Sequence, residues 1–318
     1  MKKIVLTLLF SFCLFYGNSQ TSSFSLDQAI DYALKNSRSS VNASNNVKIA
    51  HAKKRETIAT GLPQINSFIE YNNNIKQPVS LVPAEFFGGN SGEFAELSFG
   101  TKQTIDGSVT LSQLLFDGSY LVGLASIKLY MEIAYNVKTK TDQEVKKSII
   151  AAYGNAIVSQ ESVKILERNL SNVKSNLEEI NKIYNSGFTE LENVEQLKIT
   201  YGSIKNSLDY SIKLNKTSLN LLKLIMGYDI EKEIVLSNSL QDLTLKNILE
   251  KQSIEDFEIE KNIDYQMALN NTKSQQTLLT LEKSKALPTL RAFIKGGYDG
   301  NNNSFNFFKS DQKWYGYS

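Results

Sequence analysis

The sequence predicts a mixed, mainly α fold, with long antiparallel coiled-coil helices joined to a few β-strands. Three observations predict it. No proline stands between Pro83 and Pro288, an interval that suits long uninterrupted helices. Inside that interval, Val163, Leu166, Leu170, Val173, Leu177, Ile180 and Tyr184 are spaced three and four residues apart in strict alternation, the seam of a coiled coil. Two Leu-Pro breaks, Leu62-Pro63 and Leu287-Pro288, are each followed by residues of alternating polarity, as half-buried strands require.

Residues 1–19 read as a secretory signal: Lys2 and Lys3, an apolar run from Ile4 to Phe15 that contains Cys13, then Gly17-Asn18-Ser19. Ser25-Leu26-Asp27-Gln28 fits a capping box, so a helix opens there. It is interrupted near Asn36-Ser37 and stops at Gly61-Leu62-Pro63, because the residue before proline avoids helical dihedrals. Ile65, Ile69 and Tyr71 then lie at even spacing. Leu97, Phe99, Ile105, Val109 and Leu111 keep one parity against polar Ser98, Thr104, Ser108 and Thr110. These two strands form a β-hairpin over about 64–116, and Pro78 to Gly92 is expected to be an exposed loop between them.

After Phe116-Asp117-Gly118-Ser119 a helical hairpin spans about 119–227. Its first helix runs from about Leu121 to Tyr184, and small residues Ala152, Ala156 and Ser159 extend the seam backwards, where a neighbouring helix can approach closely. Gly187 suits the left-handed C′ position, and Thr189 with Glu192 reads as a second capping box. The return helix carries Leu191, Val194, Leu197, Tyr201, Ile204 and Leu208 and stops near Met226-Gly227. A mixed connector follows over 228–252, and Ser253 starts a helix ending at Pro288. The chain also repeats itself. Gly61-Leu62-Pro63-Gln64-Ile65 and Ala286-Leu287-Pro288-Thr289-Leu290 correspond, Pro63 and Pro288 lying 225 residues apart. Residues 20–245 then form a first repeat and 246–318 an incomplete second one, in which Asp299 to Asn303 reads as a turn. The sequence reads as truncated in that second repeat.

Function classes narrow quickly. With 35 basic and 33 acidic residues, a formal charge of +2 supplies no field for a nucleic-acid partner. One Cys and one His cannot build a Cys/His metal site or a Cys-His nucleophile. Neither a cofactor, a metal nor a catalytic residue is expected, and His51, beside Lys53, Lys54 and Arg55, reads as a solvated side chain. Beyond the signal no apolar run is long enough for a transmembrane helix.

Taken in order, these features resemble the outer membrane efflux protein family, the TolC-like proteins. The resemblance rests on Ser25-Leu26-Asp27-Gln28-Ala29, both Leu-Pro breaks, Val109 to Gly118, the tip Ser186-Gly187-Phe188-Thr189, and Leu224-Ile225-Met226-Gly227. It implies a homotrimer in the outer membrane of a Gram-negative bacterium. Each protomer would give strands to one shared twelve-stranded barrel and long helices to a periplasmic α-helical barrel. It implies a passive export conduit of a tripartite efflux pump or type I secretion system, joined through a periplasmic adaptor protein to an inner-membrane transporter. On this basis the hairpin tip, Gly187, Phe188 and Thr189, is the expected adaptor-docking site, with Lys182 the nearest base. Ser108, Thr110 and Ser112 are the expected lumen-facing residues, and Val109 and Leu111 the lipid-facing ones. Aromatic residues from Tyr71 to Tyr317 crowd the strands and loops as an interfacial girdle would. The part that carries the family's acidic constriction has no counterpart here, so no gate residue is assigned. A different class, a non-conducting periplasmic coiled-coil interaction protein, remains the alternative.

Overall fold

A computed structural model describes residues 22–250, 258–307 and 315–317. The expected signal at 1–19 and the expected helix start at Ser253 lie outside the described residues. The described chain forms two compact units, one made of the residues up to Ile49 with Met131–Asn270, the other of Ala50–Tyr130 with the residues from Asn271 onwards.

The first unit opens with strand β1 (Ser22–Phe24) and helix α1 (Leu26–Asn36). The capping box forms as the sequence requires: the Gln28 N–H donates to Ser25 Oγ (3.2 Å) and the Ser25 N–H to Gln28 Oε1 (2.9 Å). Ser37 adopts an extended conformation, breaking the helix, and its hydroxyl accepts from the Ser40 N–H to cap α2 (Arg38–Thr60).

Helix α3 (Gly118–Asn185) is 68 residues long, roughly 100 Å at 1.5 Å per residue. It begins before the expected Leu121, because Asp117 Oδ1 accepts the Tyr120 N–H at 2.9 Å and caps the first turn. Helix α4 (Leu191–Met226) returns, and Gly227 ends it in the left-handed region at φ 73°. Only glycine fits there: a Cβ would collide with the Asn36 carbonyl and Ser37 Cα.

The connector is more ordered than the expected mixed segment. Strand β6 (Ile234–Leu236) pairs in parallel with β1, Ser22 opposite Ile234 and Phe24 opposite Leu236, and helix α5 (Leu240–Glu250) follows. Around this pairing lies the core. Ala29 and Ala33 of α1, Ile149, Ala152, Tyr153 and Ala156 of α3, and Leu222 and Met226 of α4 are all buried. The small residues let the helices approach, and the polar groups are satisfied: the Tyr153 hydroxyl lies 2.8 Å from the Phe24 carbonyl and 3.2 Å from Asn238 Oδ1, which also accepts the Leu26 N–H. Burial raises the Tyr153 phenol above its ordinary pKa.

In the second unit, strand β2 (Gln64–Asn73) follows α2 across the first Leu-Pro break. The expected loop contains a small hairpin of its own. Strands β3 (Val79–Pro83) and β4 (Phe94–Ser98) pair antiparallel about a short 3₁₀ turn, Ala84–Phe87. The second long strand therefore does not take in Leu97 and Phe99. The chain turns at Gly100, and β5 (Gln103–Asp117) starts beyond it.

Helix α6 (Ile263–Ser284) leads through the second Leu-Pro break into β7 (Thr289–Asn302). The turn expected at Asp299 to Asn303 gives way to strand, because Asp299 to Asn302 complete the ladder opposite Asp106 to Gln103. Strand β8 (Tyr315–Tyr317) pairs with β7, so the sheet order is β2-β5-β7-β8. The two copies of the repeated helix-Leu-Pro-strand unit thus place their strands on either side of β5.

Candidate channel-lining strands and hairpin tip

The antiparallel register fixes which residues share a face. Ile65 pairs with Leu111, Ser67 with Val109, Ile69 with Gly107 and Tyr71 with Ile105, while Leu111 in turn faces Ile294 of β7. One face of the sheet is therefore aliphatic, and it is bare: Ile69 is 80% and Ile294 70% exposed. Val109 and Leu111 both lie on this exposed face.

The opposite face carries Ser108, Thr110 and Ser112, all half-buried, across from Phe68, Asn66 and Gln64 of β2 and from Gly297, Lys295 and Phe293 of β7. The structure thus brings the three expected lumen residues together on one polar face and sets Val109 and Leu111 on the other. The same register reveals what the sequence alone missed. Glu70, Asp106 and Asp299 stand abreast on the polar face, in one row across three strands. The row becomes visible only once the pairing of β7 with β5 is known, because Asp106 and Asp299 are remote in sequence.

The free edge of β2 has no strand partner among the described residues. At the loop end of the sheet, Tyr71, Phe305 and Phe307 pack edge to face with ring centroids 5.5 to 6.1 Å apart, and the Tyr298 hydroxyl donates to the Phe307 carbonyl at 2.5 Å. Phe86, Phe87, Phe94 and Phe99 are exposed in and beside the small hairpin. Phe308 and Trp314 of the expected girdle lie outside the described residues.

The hairpin tip belongs to the first unit. Its helix end is closed by a Schellman motif: the Phe188 N–H donates to the Ile183 carbonyl (3.1 Å) and the Gly187 N–H to Tyr184 (2.9 Å), with Gly187 at φ 78°. Phe188 projects outward, 86% exposed. The expected Thr189 capping box does not form. Helix α4 takes Glu190 as its N-cap, which puts Asn193 rather than Glu192 at the third helical position, and Thr189 Oγ1 instead accepts from Asn193 Nδ2 at 3.0 Å. Below the tip, Val194 is buried, and the seam residues Val163, Leu166, Leu170, Val173, Leu177 and Ile180 are half-buried.

His51 is exposed on α2, and no group of three or more metal-ligating side chains occurs among the described residues. No helix among them is long and apolar enough to cross a membrane, which says nothing of strands.

No protein-family model matches the chain, and no curated protein does. Solved structures match over nearly all of it. CmeC, an outer membrane channel of Campylobacter jejuni, superposes with a TM-score of 0.64 at 15% identity over 92% of this chain and 60% of its own. The chain has the TolC-like fold of these outer-membrane channels. CusC, described as forming a transmembrane channel, gives a TM-score of 0.63 at 16% identity, and VceC, an outer membrane protein of Vibrio cholerae, 0.60 at 15%. The chain spans 60 to 66% of the length of these three proteins. The TolC-like fold accounts for the long antiparallel helices and for strands that both follow and precede them, as the sequence leads one to expect.

Proposed function

We propose that the chain is a subunit of a homotrimeric outer-membrane channel of a Gram-negative bacterium, extending into the periplasm, and that it serves as a passive conduit for export. Residues 20–245 form its first repeat and 246–318 belong to its second. The observation that carries this reading is the sheet β2-β5-β7. It is mainly apolar and exposed on one face, mainly polar on the other save for Phe68 and Phe293, and open at the edge of β2 among the described residues. In water such a surface is a liability, whereas in a lipid-embedded closed barrel the aliphatic face is solvated by acyl chains and the edge is paired. Val109 and Leu111 then face lipid, and Ser108, Thr110 and Ser112 face the lumen.

The helices support the same reading. Besides the seam that α4 shares with α3, it exposes Ile199 (73%), Tyr210 (68%), Leu214 and Leu221, as a helix flanked by neighbours in an α-helical barrel would. Chemistry on the substrate has no role. The conduit joins, through a periplasmic adaptor protein docking at Gly187, Phe188 and Thr189, an inner-membrane transporter of a tripartite efflux pump or type I secretion system, and it passes small molecules, metals or polypeptides.

The test is extraction and conductance. Membranes carrying the native protein are washed with alkaline carbonate and the retained protein is assayed for oligomeric state and single-channel current. The expected result is a carbonate-resistant trimer with discrete openings, whose crosslinking to the adaptor is lost in Phe188→Ala. Release as a soluble species without conductance would overturn the reading in favour of a periplasmic coiled-coil interaction protein.

A further inference from the structure

Charge in the second unit is distributed unevenly. Its helical segments next to the strands (residues 50–60, 118–130 and 271–285) carry seven Lys or Arg and only the acids Glu56 and Glu282. Both acids are already engaged, Glu56 by Lys53 at 2.9 Å and Glu282 by Lys285 at 2.6 Å. Lys54, Arg55, Lys128 and Lys283 are exposed and form no ion pair among the described residues. The other end of the sheet is net acidic, with Glu70, Asp106 and Asp299 on the strands and Glu85, Glu93 and Glu96 at the small hairpin against Lys76 and Lys102. The rest of α3 is balanced by contrast, residues 131–185 holding eight Lys or Arg against seven Asp or Glu. Lys164, Lys198 and Lys261 each meet a glutamate three residues away, the ordinary pattern of a solvated face.

Position and direction give the unpaired bases a meaning. Glu56 and Thr60 border the same small cavity as Gln64, Ser112 and Arg291 of the polar strand face. At 100° per residue Lys54 lies about 160° around α2 from Glu56, so it points away from that side, together with Ile58. Arg55 is within about 8 Å of the end of α2 measured along the axis, and Lys283 stands in the last turn of α6. A headgroup layer reaches roughly 5 to 8 Å beyond the hydrocarbon, and Lys and Arg extend their charge several ångströms further on flexible stems. Lys128, at about 15 Å into α3, is the outermost member.

We propose that Lys54, Arg55, Lys128 and Lys283 form a collar that binds the anionic headgroups of phospholipids in the periplasmic leaflet, an inference that rests on the strands lying in lipid. The excess of base over acid is greatest in the helical segments beside the bare aliphatic sheet face. A phosphodiester surface supplies the missing counter-charge and continues the apolar contact of the strands.

The full-length protein is reconstituted into phosphatidylcholine vesicles and into phosphatidylcholine vesicles containing phosphatidylglycerol. It is then re-extracted gently, and the lipids retained on the trimer are counted by native mass spectrometry. Phosphatidylglycerol is expected to be enriched over its share of the vesicle. The enrichment falls by roughly fivefold for each base removed in the series K54Q, R55Q, K128Q and K283Q, and it is weakened by salt. Insertion with no phosphatidylglycerol enrichment, or an enrichment that the fourfold variant keeps, overturns the collar while leaving the channel reading intact. Failure to insert into either vesicle overturns both.

Discussion

The buried centre of the first unit and the sheet of the second follow the same periodic logic and reach opposite outcomes. Ile149, Ala152 and Ala156 of α3 face α1 and α4 and lose their solvent contact within one chain. Ile65, Ile69, Leu111 and Ile294 align just as regularly, yet all four stay exposed among the described residues. A helix stripe can be covered by a neighbouring helix of the same chain, whereas a sheet face of this kind waits for a medium. The difference shows that patterning specifies which residues share a surface, and that the surroundings decide what the surface does.

Breaking the buried side should have the largest effect. Tyr153→Ala empties a fully buried site and strips Asn238 and the Phe24 carbonyl of a partner, an expected loss of about 3 to 5 kcal/mol measurable by denaturant unfolding followed by circular dichroism. Because burial raises the phenol pKa, the unfolded state ionises first as pH passes the ordinary value of 10.0. The stability Tyr153 confers is therefore complete below that value and lost as pH rises above it, a dependence that Tyr153→Phe should remove.

On the sheet, the sharpest test is a pair. Val109→Lys should destabilise the membrane-inserted form by about 2 to 4 kcal/mol, read as loss of the heat-resistant trimer, whereas Thr110→Lys on the opposite face should leave the trimer intact and alter its ion selectivity. Equal tolerance of both would dissolve the distinction between the two faces. Gly227→Ala should cost about 1 to 3 kcal/mol, since it imposes a side chain at φ 73° against the backbone of Asn36 and Ser37, and thermal melting would show it.

The smallest effect is expected at the cap of α5. Asp242 Oδ2 accepts from the Ser239 hydroxyl at 2.7 Å and from its N–H at 3.1 Å, which lowers the carboxyl pKa below its ordinary 3.8. The contribution of this cap is present above that value and fades as pH falls below it. Ser239→Ala should flatten that acid limb, its small cost being present at neutral pH and vanishing in acid, as amide exchange of α5 would report.

Much of this was legible in the residues themselves. Ser25 and Gln28 announced a capping box that forms, the Leu-Pro pairs marked both helix-to-strand transitions, and Gly187 marked a helix end. Parity alone assigned Val109 and Leu111 to one face and Ser108, Thr110 and Ser112 to the other, because a strand's side-chain period is two whatever it pairs with. Other expectations failed where a local motif competed with a choice of frame. Thr189 satisfied the capping pattern but lies one residue before the cap that α4 uses, and Leu97 and Phe99 kept the parity of β5 while β4 folded back on β3.

The set of elements, their breaks and their faces is therefore local, since these follow from proline sterics, capping and side-chain period within a few residues. Which elements meet is settled by the folded chain alone. The parallel pairing of β1 with β6, the placement of β7 beside β5 and the row of Glu70, Asp106 and Asp299 all join residues far apart in the chain. Such pairings depend on loop closure and on competition among surfaces of similar pattern, and no local spacing encodes the outcome.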